Sequence, residues 1–564
     1  MKYTQEQQHI FEFVKNGTGH GIIDAVAGAG KTTTIMASAE HVQAHKKMLF
    51  CAFNKSIAGE IESKFHQIGM QRVTVKTIHA LGWQILRNSS TTGQPPRLEE
   101  KKYDQLLKSE KIQKELTEFY RGIIKINKLD PDKTYEKYNE YGIKNLLWKV
   151  NARLLDINQK FRATLCEDSF EEFSELVVHF GIFNSLEAAK EAFAEELHYY
   201  YRCHQILLEA GNELSRSTMI TDYTDMLYLP VAWKLSPVRK FDFVFIDECQ
   251  DLSRAQLAIS LKHANSDARI LAVGDPRQSI YGFTGADIES FERVRDITKA
   301  QQLPLTICFR CPQDVISIAR QIRDDIRGSK QVSGIVESIT PEQVIEMARA
   351  GDLIVSRVKA PLLMLIFGFI DKNIKVQIHD DEAQDFIREL RNLFKPAERE
   401  LPFKQMRDGF EELKQTVIKR WEFIINKNAE RIVDPIERDV HIMSEIAYLH
   451  RRLEFLHKKS LKWASDCPTM ENILRKIMGF ISAKENSIIL SSIHRAKGLE
   501  ENRVFIIDYP KLPHSRPEIM DWEEIQEVNL KYVAVTRAKE ELYLVDVEDT
   551  EERELERSLF DDLF

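Results

Sequence analysis

Glycine and proline are scarce in this chain, 23 and 17 among 564 residues, which leaves no room for a low-complexity segment or a long flexible linker. Its parts are therefore expected to pack on one another. No apolar run approaches the length needed to cross a bilayer, and the opening MKYTQEQQ is polar, so no membrane contact and an intracellular setting are expected. Seven scattered cysteines, an odd number, fit reduced thiols rather than a disulfide framework. Cys308 and Cys311 form a C-x-x-C pair, but no second pair or nearby histidine completes a zinc site, and they read as packing. Positive charge is not in excess: 79 Lys and Arg stand against 87 Asp and Glu, a net charge of −8. That excludes a protein that coats nucleic acid by bulk electrostatics and leaves room for a local basic groove.

What is present is a long soluble chain, 43% hydrophobic and 29% charged, too large for one core and sized for about three or four domains or subdomains. Gly21-Ile22-Ile23-Asp24-Ala25-Val26 is a short apolar run, as expected of a central parallel strand. The bare stretch Ala27-Gly28-Ala29-Gly30 follows, where backbone N–H groups can close on phosphate oxygens. Lys31 and Thr32 then open a helix whose N-terminal dipole favours the same anion. Lys31 would sit on the β- and γ-phosphates and the Thr32 hydroxyl on Mg²⁺. Ala25 stands where the usual pattern begins with Gly, and the plain alternative is a small-residue turn that binds nothing.

Strands alternating with helices predict an α/β fold. A capped helix over Ile10, Phe11 and Val14 precedes the first strand, and further strands are expected at 48–53, 73–77, 243–246 and 270–273, completing a first sheet. A second series starts at 303–307 and continues at 353–355, 488–490, 504–507 and 542–545. Two charged, helical-period blocks interrupt them. The expected organisation is a first sheet domain over 1–87 and 212–300 with a helical insertion at 88–211. A second follows over 301–394 and 484–564, with a shorter insertion at 395–483.

The strand Phe243 to Ile246 ends in Asp247 and Glu248, the pair a Mg-ATPase needs: one carboxylate to hold the metal, the other to deprotonate the attacking water. Gln278, in the polar turn after the next strand, can reach the γ-phosphate or that water; the alternative is an ordinary Gly-Asp-Pro turn. Arg310 and Arg537, in the second half, are arginine-finger candidates if the second sheet faces the first.

Taken in order, these segments resemble the UvrD/Rep/PcrA branch of superfamily 1 helicases. The likeness rests on the Gln motif around Gln7, AVAGAGKTTT, FNKSIAGEI, TIHALGW, DECQD, VGDPRQSIYGFTGAD, ICFRCP, SSIHRAKGLE and YVAVTRAKEEL, which occur in the family's order and span almost the entire chain. CAFNKS and DYTDMLYLP are similar to the smaller members related to F-box DNA helicases and their bacterial and phage counterparts.

The resemblance implies two RecA-like parallel-sheet domains with ATP and Mg²⁺ between them and single-stranded DNA across their tops. It implies that Gln7 reads the adenine edge, Phe309 stacks on the ring, and Glu500 lies near phosphates and sugar. Ala27, Gly28, Ala29, Gly30, Lys31, Thr32 and Thr33 line the phosphates. Asn54, Lys55, Thr77, His79, Phe283, Arg357 and His494 fall at the DNA-contacting positions; Phe283 as core and His79 as a satisfied buried histidine are the alternatives. Partners are single strands and single/double-strand junctions, the ATPase core is monomeric, and movement is 3′ to 5′. The setting is cytoplasmic and nucleoid-associated, or nuclear in a eukaryote.

This chain departs from the pattern at four places. Phe283-Thr284 stand for the family's Trp-Arg, and Thr33 for an Arg two residues after the P-loop Lys. Phe53 lies one residue later than the usual aromatic, and the second insertion is short. The chain stops soon after its last motif, so no fused nuclease is expected. Competing activities are a translocase that strips proteins from single strands without unwinding, a DNA-binding scaffold with a vestigial ATPase, and a P-loop kinase, which would need neither a second sheet nor Arg537.

Overall fold

The computed structural model describes residues 3–90, 93–129, 137–183, 191–282, 289–392, 410–429, 435–462, 470–481, 485–515 and 519–546. Contacts divide the chain into two compact units. The first comprises 1–309, 325–327 and 518–529, the second 310–324, 328–517 and 530–564.

The first unit holds a six-stranded parallel sheet. Its strands are β1 (Gly21–Ala25), β2 (Met48–Ala52), β3 (Val73–Thr77), β4 (Phe241–Ile246), β5 (Ala264–Gly274) and β6 (Gln301–Leu305), in the order β3-β2-β4-β5-β1-β6. The inner strands are apolar nearly throughout because helices cover both faces. Four of those helices matter for the site: α1 (Gln5–Asn16), α2 (Lys31–Glu40), α3 (Lys55–Gln67) and α4 (Ile78–Asn88). Helix α1 starts at a capping box, Thr4 with Gln7.

Strand β6 corrects the sequence reading. The run at 303–307, expected to open the second series, pairs with β1 in parallel, from Gly21 opposite Gln301 to Ala25 opposite Leu305. An apolar run does not say which sheet it joins; its flanking contacts do. Val26 N donates to Leu305 O at 3.0 Å. The Glu6 carboxylate accepts from the backbone N and hydroxyl of Thr306 at 2.8 and 2.7 Å. As an edge strand, β6 tolerates Pro304.

Between α4 and β4 lies a helical insertion: α5 (Lys102–Lys108), α6 (Glu110–Ile126), α7 (Lys137–Thr164), α8 (Phe170–His179) and α9 (Phe193–Thr218), followed by α10 (Asp225–Ala232). Its core joins Leu116, Ile123, Leu154, Phe161, Phe173, Tyr200 and Leu207 from four helices. Helix α9 runs unbroken past residue 211.

The second unit repeats the plan. Its sheet is fully parallel and comprises β7 (Ile335–Ile339), β8 (Leu353–Ser356), β9 (Val376–Gln377), β10 (Ile488–Ser492), β11 (Glu501–Ile507) and β12 (Ala538–Val545), in the order β7-β12-β11-β8-β10-β9. Strands β7 and β9 had no counterpart in the sequence reading: β7 is largely exposed and β9 has only two residues. Helices Phe410–Ala429, Pro435–Lys462 and Met470–Ile481 interrupt this sheet between β9 and β10. The architecture is thus α/β, two parallel-sheet domains each carrying a helical insertion, as expected.

Candidate functional site

In open parallel sheets, ligands bind beyond the carboxyl ends of the strands, and the expected residues of the first unit gather there. After β1 the backbone turns through Gly28 and Gly30, whose φ values of +68° and +76° are costly for any residue with a Cβ. Gly30 caps α2 without a side chain, leaving the first N–H groups of α2 open to an anion. Phe309, 43% exposed, donates its N–H to Gly28 O at 2.9 Å and so ties the loop to the end of this unit.

Lys31 and Thr32 face the end of β4. Lys31 Nζ lies 2.9 Å from Glu248 Oε2, and the Thr32 hydroxyl donates to Asp247 Oδ2 at 3.2 Å. Glu248 itself has a left-handed backbone, φ +50°, a strained position of the sort that functional sites retain. Burial, and then the neighbouring Glu248 charge, pushes the Asp247 carboxyl up to about 7. Burial alone would lower the Lys31 ammonium, but the carboxylates of Glu248, Asp275 and Asp247 outweigh it and hold Lys31 above its ordinary value. Two carboxylates crowded together out of water call for a cation.

Gln250, not singled out in the sequence, organises what surrounds that pair. Its Nε2 donates to Glu248 Oε2 at 2.6 Å, and its Oε1 accepts from Asp275 N at 3.1 Å. A Cβ on Gly274 would fall 2.5 Å from that Oε1, so only glycine lets β5 end this close. Gln278 Nε2 donates to Asp275 Oδ2 at 2.9 Å, which places Gln278 in the same cluster.

Gln7 is buried, and its amide already has partners: Oε1 accepts from Thr4 N and Nε2 donates to the Thr34 hydroxyl. One lone pair and one N–H remain, the complement of an adenine N6/N7 edge. Asn54 and Thr77 cap α3 and α4, accepting from Ile57 N and Ala80 N; Thr77 is the last residue of β3 and Asn54 stands two residues past β2. Lys55 is exposed on the first turn of α3. The Phe53 ring lies parallel to that of Tyr281, 6.1 Å between centroids. Phe283 and Thr284 lie outside the described residues.

His79 is partly covered, burial lowers its basicity, and its ring meets Tyr223 edge to face at 6.3 Å. Tyr223, missed by the sequence reading, is half exposed and stands between two pinned aspartates. Arg162 of α7 binds Asp222 through both terminal nitrogens and Asp225 through one, at 2.8 to 2.9 Å, and Lys102 of α5 reaches Asp225 at 2.6 Å. All four side chains are at most 12% exposed. Buried charges at that spacing hold geometry when every partner is in place.

The second unit holds the remaining candidates, Glu500 and Arg537 immediately before β11 and β12. Arg310 donates to Thr536 O at 3.0 Å and pairs with Glu500, which Lys539 also approaches at 3.3 Å. Arg537 is almost fully buried, donating to Val533 O, Leu499 O and the Thr536 hydroxyl. Burial, then the like charge of Arg310, lowers it to about 10. Arg310 Nε is buried without a hydrogen-bond partner among the described residues. Three cations around one carboxylate, with a donor to spare, suit a polyanion. Arg357 follows β8 and His494 follows β10; burial, then the Arg357 charge, lowers His494 to about 4.

Within the first unit, Lys31, Thr32, Asp247 and Glu248 supply the donors and acceptors that a nucleoside triphosphate with Mg²⁺ would require. Among the described residues no group of three or more His, Cys, Asp or Glu could hold a metal ion. Cys308 and Cys311 are buried thiols, in keeping with the packing role expected of them. Among the described residues no helix is long and apolar enough to cross a membrane.

A P-loop and a strand-end acidic pair on one parallel sheet, followed by a second parallel sheet bearing an arginine cluster, define a P-loop NTPase of tandem-sheet architecture. Residues 4–299, just over half of the chain, match the UvrD/REP helicase N-terminal domain, and residues 487–545 match the UvrD-like helicase C-terminal domain. The chain belongs to the UvrD/REP helicase family of superfamily 1. It is similar to F-box DNA helicase protein 1 of Schizosaccharomyces pombe, 24% identical over 96% of this chain and 57% of that protein. It is also similar to F-box DNA helicase 1 of Gallus gallus, 26% identical over 96% of this chain and 48% of that one. A probable DNA helicase II homolog of Mycoplasma pneumoniae is 22% identical over 94% and 82%. The chain thus spans about half the length of the F-box relatives.

Proposed function

We propose that the protein is an ATP-dependent DNA translocase and helicase of the F-box-helicase-related group, moving 3′ to 5′ along single strands and opening duplex at junctions. Relatives that align with nearly the whole chain carry the name DNA helicase, which supports the activity, and two of them are F-box DNA helicases, which supports the subgroup. One observation carries the reading: Lys31 and Thr32 of the P-loop meet Glu248 and Asp247 at the end of β4.

Lys31 would hold the β- and γ-phosphates of bound ATP, and Thr32 and Asp247 would hold a Mg²⁺ ion, which would supply neutralisation of phosphate charge. Glu248, released from Lys31, takes a proton from the water whose oxygen bonds to the γ-phosphorus as the bond to the β-phosphate oxygen breaks. Arg310 and Arg537 stabilise the charge that develops, and Gln278 orients the water. His79, Thr77, Asn54, Lys55 and Phe283 hold the strand in the first unit, Arg357 and His494 in the second. The core acts as a monomer, in the nucleoid or the nucleus.

Phosphate release with and without a thymidine oligonucleotide, on wild type and Glu248→Gln, tests this. Wild type should be stimulated, and the variant should retain nucleotide but turn over about a hundredfold or more slower. Equal, DNA-independent rates would overturn the assignment. Strand displacement measured beside streptavidin displacement separates unwinding from protein stripping alone.

A further inference from the structure

The helix Asp521–Val535 begins among residues that fold with the first unit, which includes 518–529. Two of its polar side chains there, Gln526 and Asn529, bond one segment, 276–282. Gln526 Oε1 accepts from Gly282 N at 2.9 Å, and Asn529 Nδ2 donates to Ser279 O at 2.9 Å and Pro276 O at 3.3 Å. Upstream, Trp522 Nε1 donates to His179 O at 2.6 Å, and a Cβ on Gly282 would strike the Trp522 ring at 2.8 Å. The clamped segment contains Gln278 and leads directly into Phe283.

From Asn529 a buried relay runs to the base. The Ser279 hydroxyl donates to Gln250 O at 3.2 Å, and Gln250 Nε2 donates to Glu248 Oε2 at 2.6 Å. Asn529 and Ser279 are each 1% exposed and Gln250 is fully buried. The two carbonyls facing Nδ2 settle the orientation of the Asn529 amide, since the flipped group would oppose oxygen to oxygen. Its Oδ1 is then left buried without a partner among the described residues. A buried acceptor lacking a donor favours any shift of its neighbours that supplies one.

We infer that Asn529 is a positioning residue. It holds the turn 276–282 in register with Glu248 through Ser279 and Gln250, so that displacement of the turn by a bound strand reaches the base. The idea rests on the ATPase and DNA-binding reading above and adds to it the route by which DNA sets the rate of hydrolysis.

The test compares wild type, Asn529→Ala, Ser279→Ala and the double variant by phosphate release without and with saturating thymidine oligonucleotide. ATP KM, strand affinity by anisotropy and the melting temperature are read alongside. Each single variant should lose about fivefold or more in the ratio of stimulated to basal rate, with basal rate, KM and strand affinity held within about twofold. The double variant should lose no more than the worse single one, the mark of two residues on one route. Should Asn529→Ala melt early, Asn529→Asp keeps the shape while removing the donor and should read the same. Folded single variants that remain fully stimulated, or losses that multiply in the double variant, overturn the inference. A wild type indifferent to the oligonucleotide overturns the function reading itself; a stimulated wild type beside an equally stimulated Asn529→Ala overturns the relay alone.

Discussion

Lys31 and Glu248 stand 217 residues apart in the chain and meet at 2.9 Å, with side chains only 10% and 23% exposed. The ammonium and the carboxylate neutralise one another here, and on the proposed function a bound triphosphate would separate them. Lys31→Met removes the ammonium from both roles. A charge-assisted contact is worth about 1.5–3 kcal/mol, so nucleotide affinity should fall about tenfold or more. Titration with a fluorescent ATP analogue measures it, and unchanged affinity would place the phosphates elsewhere.

Gly82 of α4 approaches the backbone of α10 so closely that a Cβ would lie 2.0 Å from Met226 O. A backbone carbonyl cannot swing aside, so Gly82→Ala must push the helices apart at a cost of about 1–3 kcal/mol. Because α4 carries His79 and Tyr223 immediately precedes α10, the two rings should separate and single-strand affinity should fall while nucleotide affinity holds. Urea denaturation and anisotropy report the two effects.

Arg537 is held among carbonyl oxygens with its charge disfavoured by burial. Arg537→Ala should leave nucleotide affinity largely intact and lower turnover about a thousandfold, the loss expected of an arginine finger. Phosphate release under saturating ATP checks this. Normal turnover would make Arg537 a tether of Val533 and Leu499 within its own unit and nothing more.

His494 is neutral at physiological pH, since burial and the Arg357 charge lower it to about 4. A histidine depressed in the fold and ordinary in the unfolded chain, near 6.5, lends stability that is whole above pH 6.5. That stability drains away as pH falls towards 4, because there the unfolded chain binds the proton. The melting temperature of wild type should therefore drop between pH 6.5 and 4 more steeply than that of His494→Gln. Parallel profiles would mean the ring is not held neutral. Between pH 8 and 6 the His494 contribution to strand affinity should stay constant.

The P-loop, the acidic pair and the strand–helix alternation were legible because each is local: a period of two, a bare turn, charges at the end of an apolar run. Strand β6 was not. Its apolar residues fit either sheet, and Glu6, about three hundred residues upstream, decides between them by bonding Thr306. Strand β7 escaped notice for the opposite reason, since an exposed edge has no apolar signature. Gln250, Tyr223 and Asn529 were missed because each owes its importance to a backbone group or ring brought near by folding. A buried Asn that serves two carbonyls reads in sequence like any helix-surface Asn.

Sequence alone determined the order of the chemical segments and the class of fold, since these follow from side-chain type and short-range spacing. Only the tertiary structure decided that Lys31 finds Glu248, that β6 closes the first sheet, and that a helix late in the chain clamps the turn before Phe283. Burial patterns repeat along a chain and identify no partner. Partners are chosen where backbone register, a missing Cβ and a satisfied hydrogen bond must all agree in three dimensions.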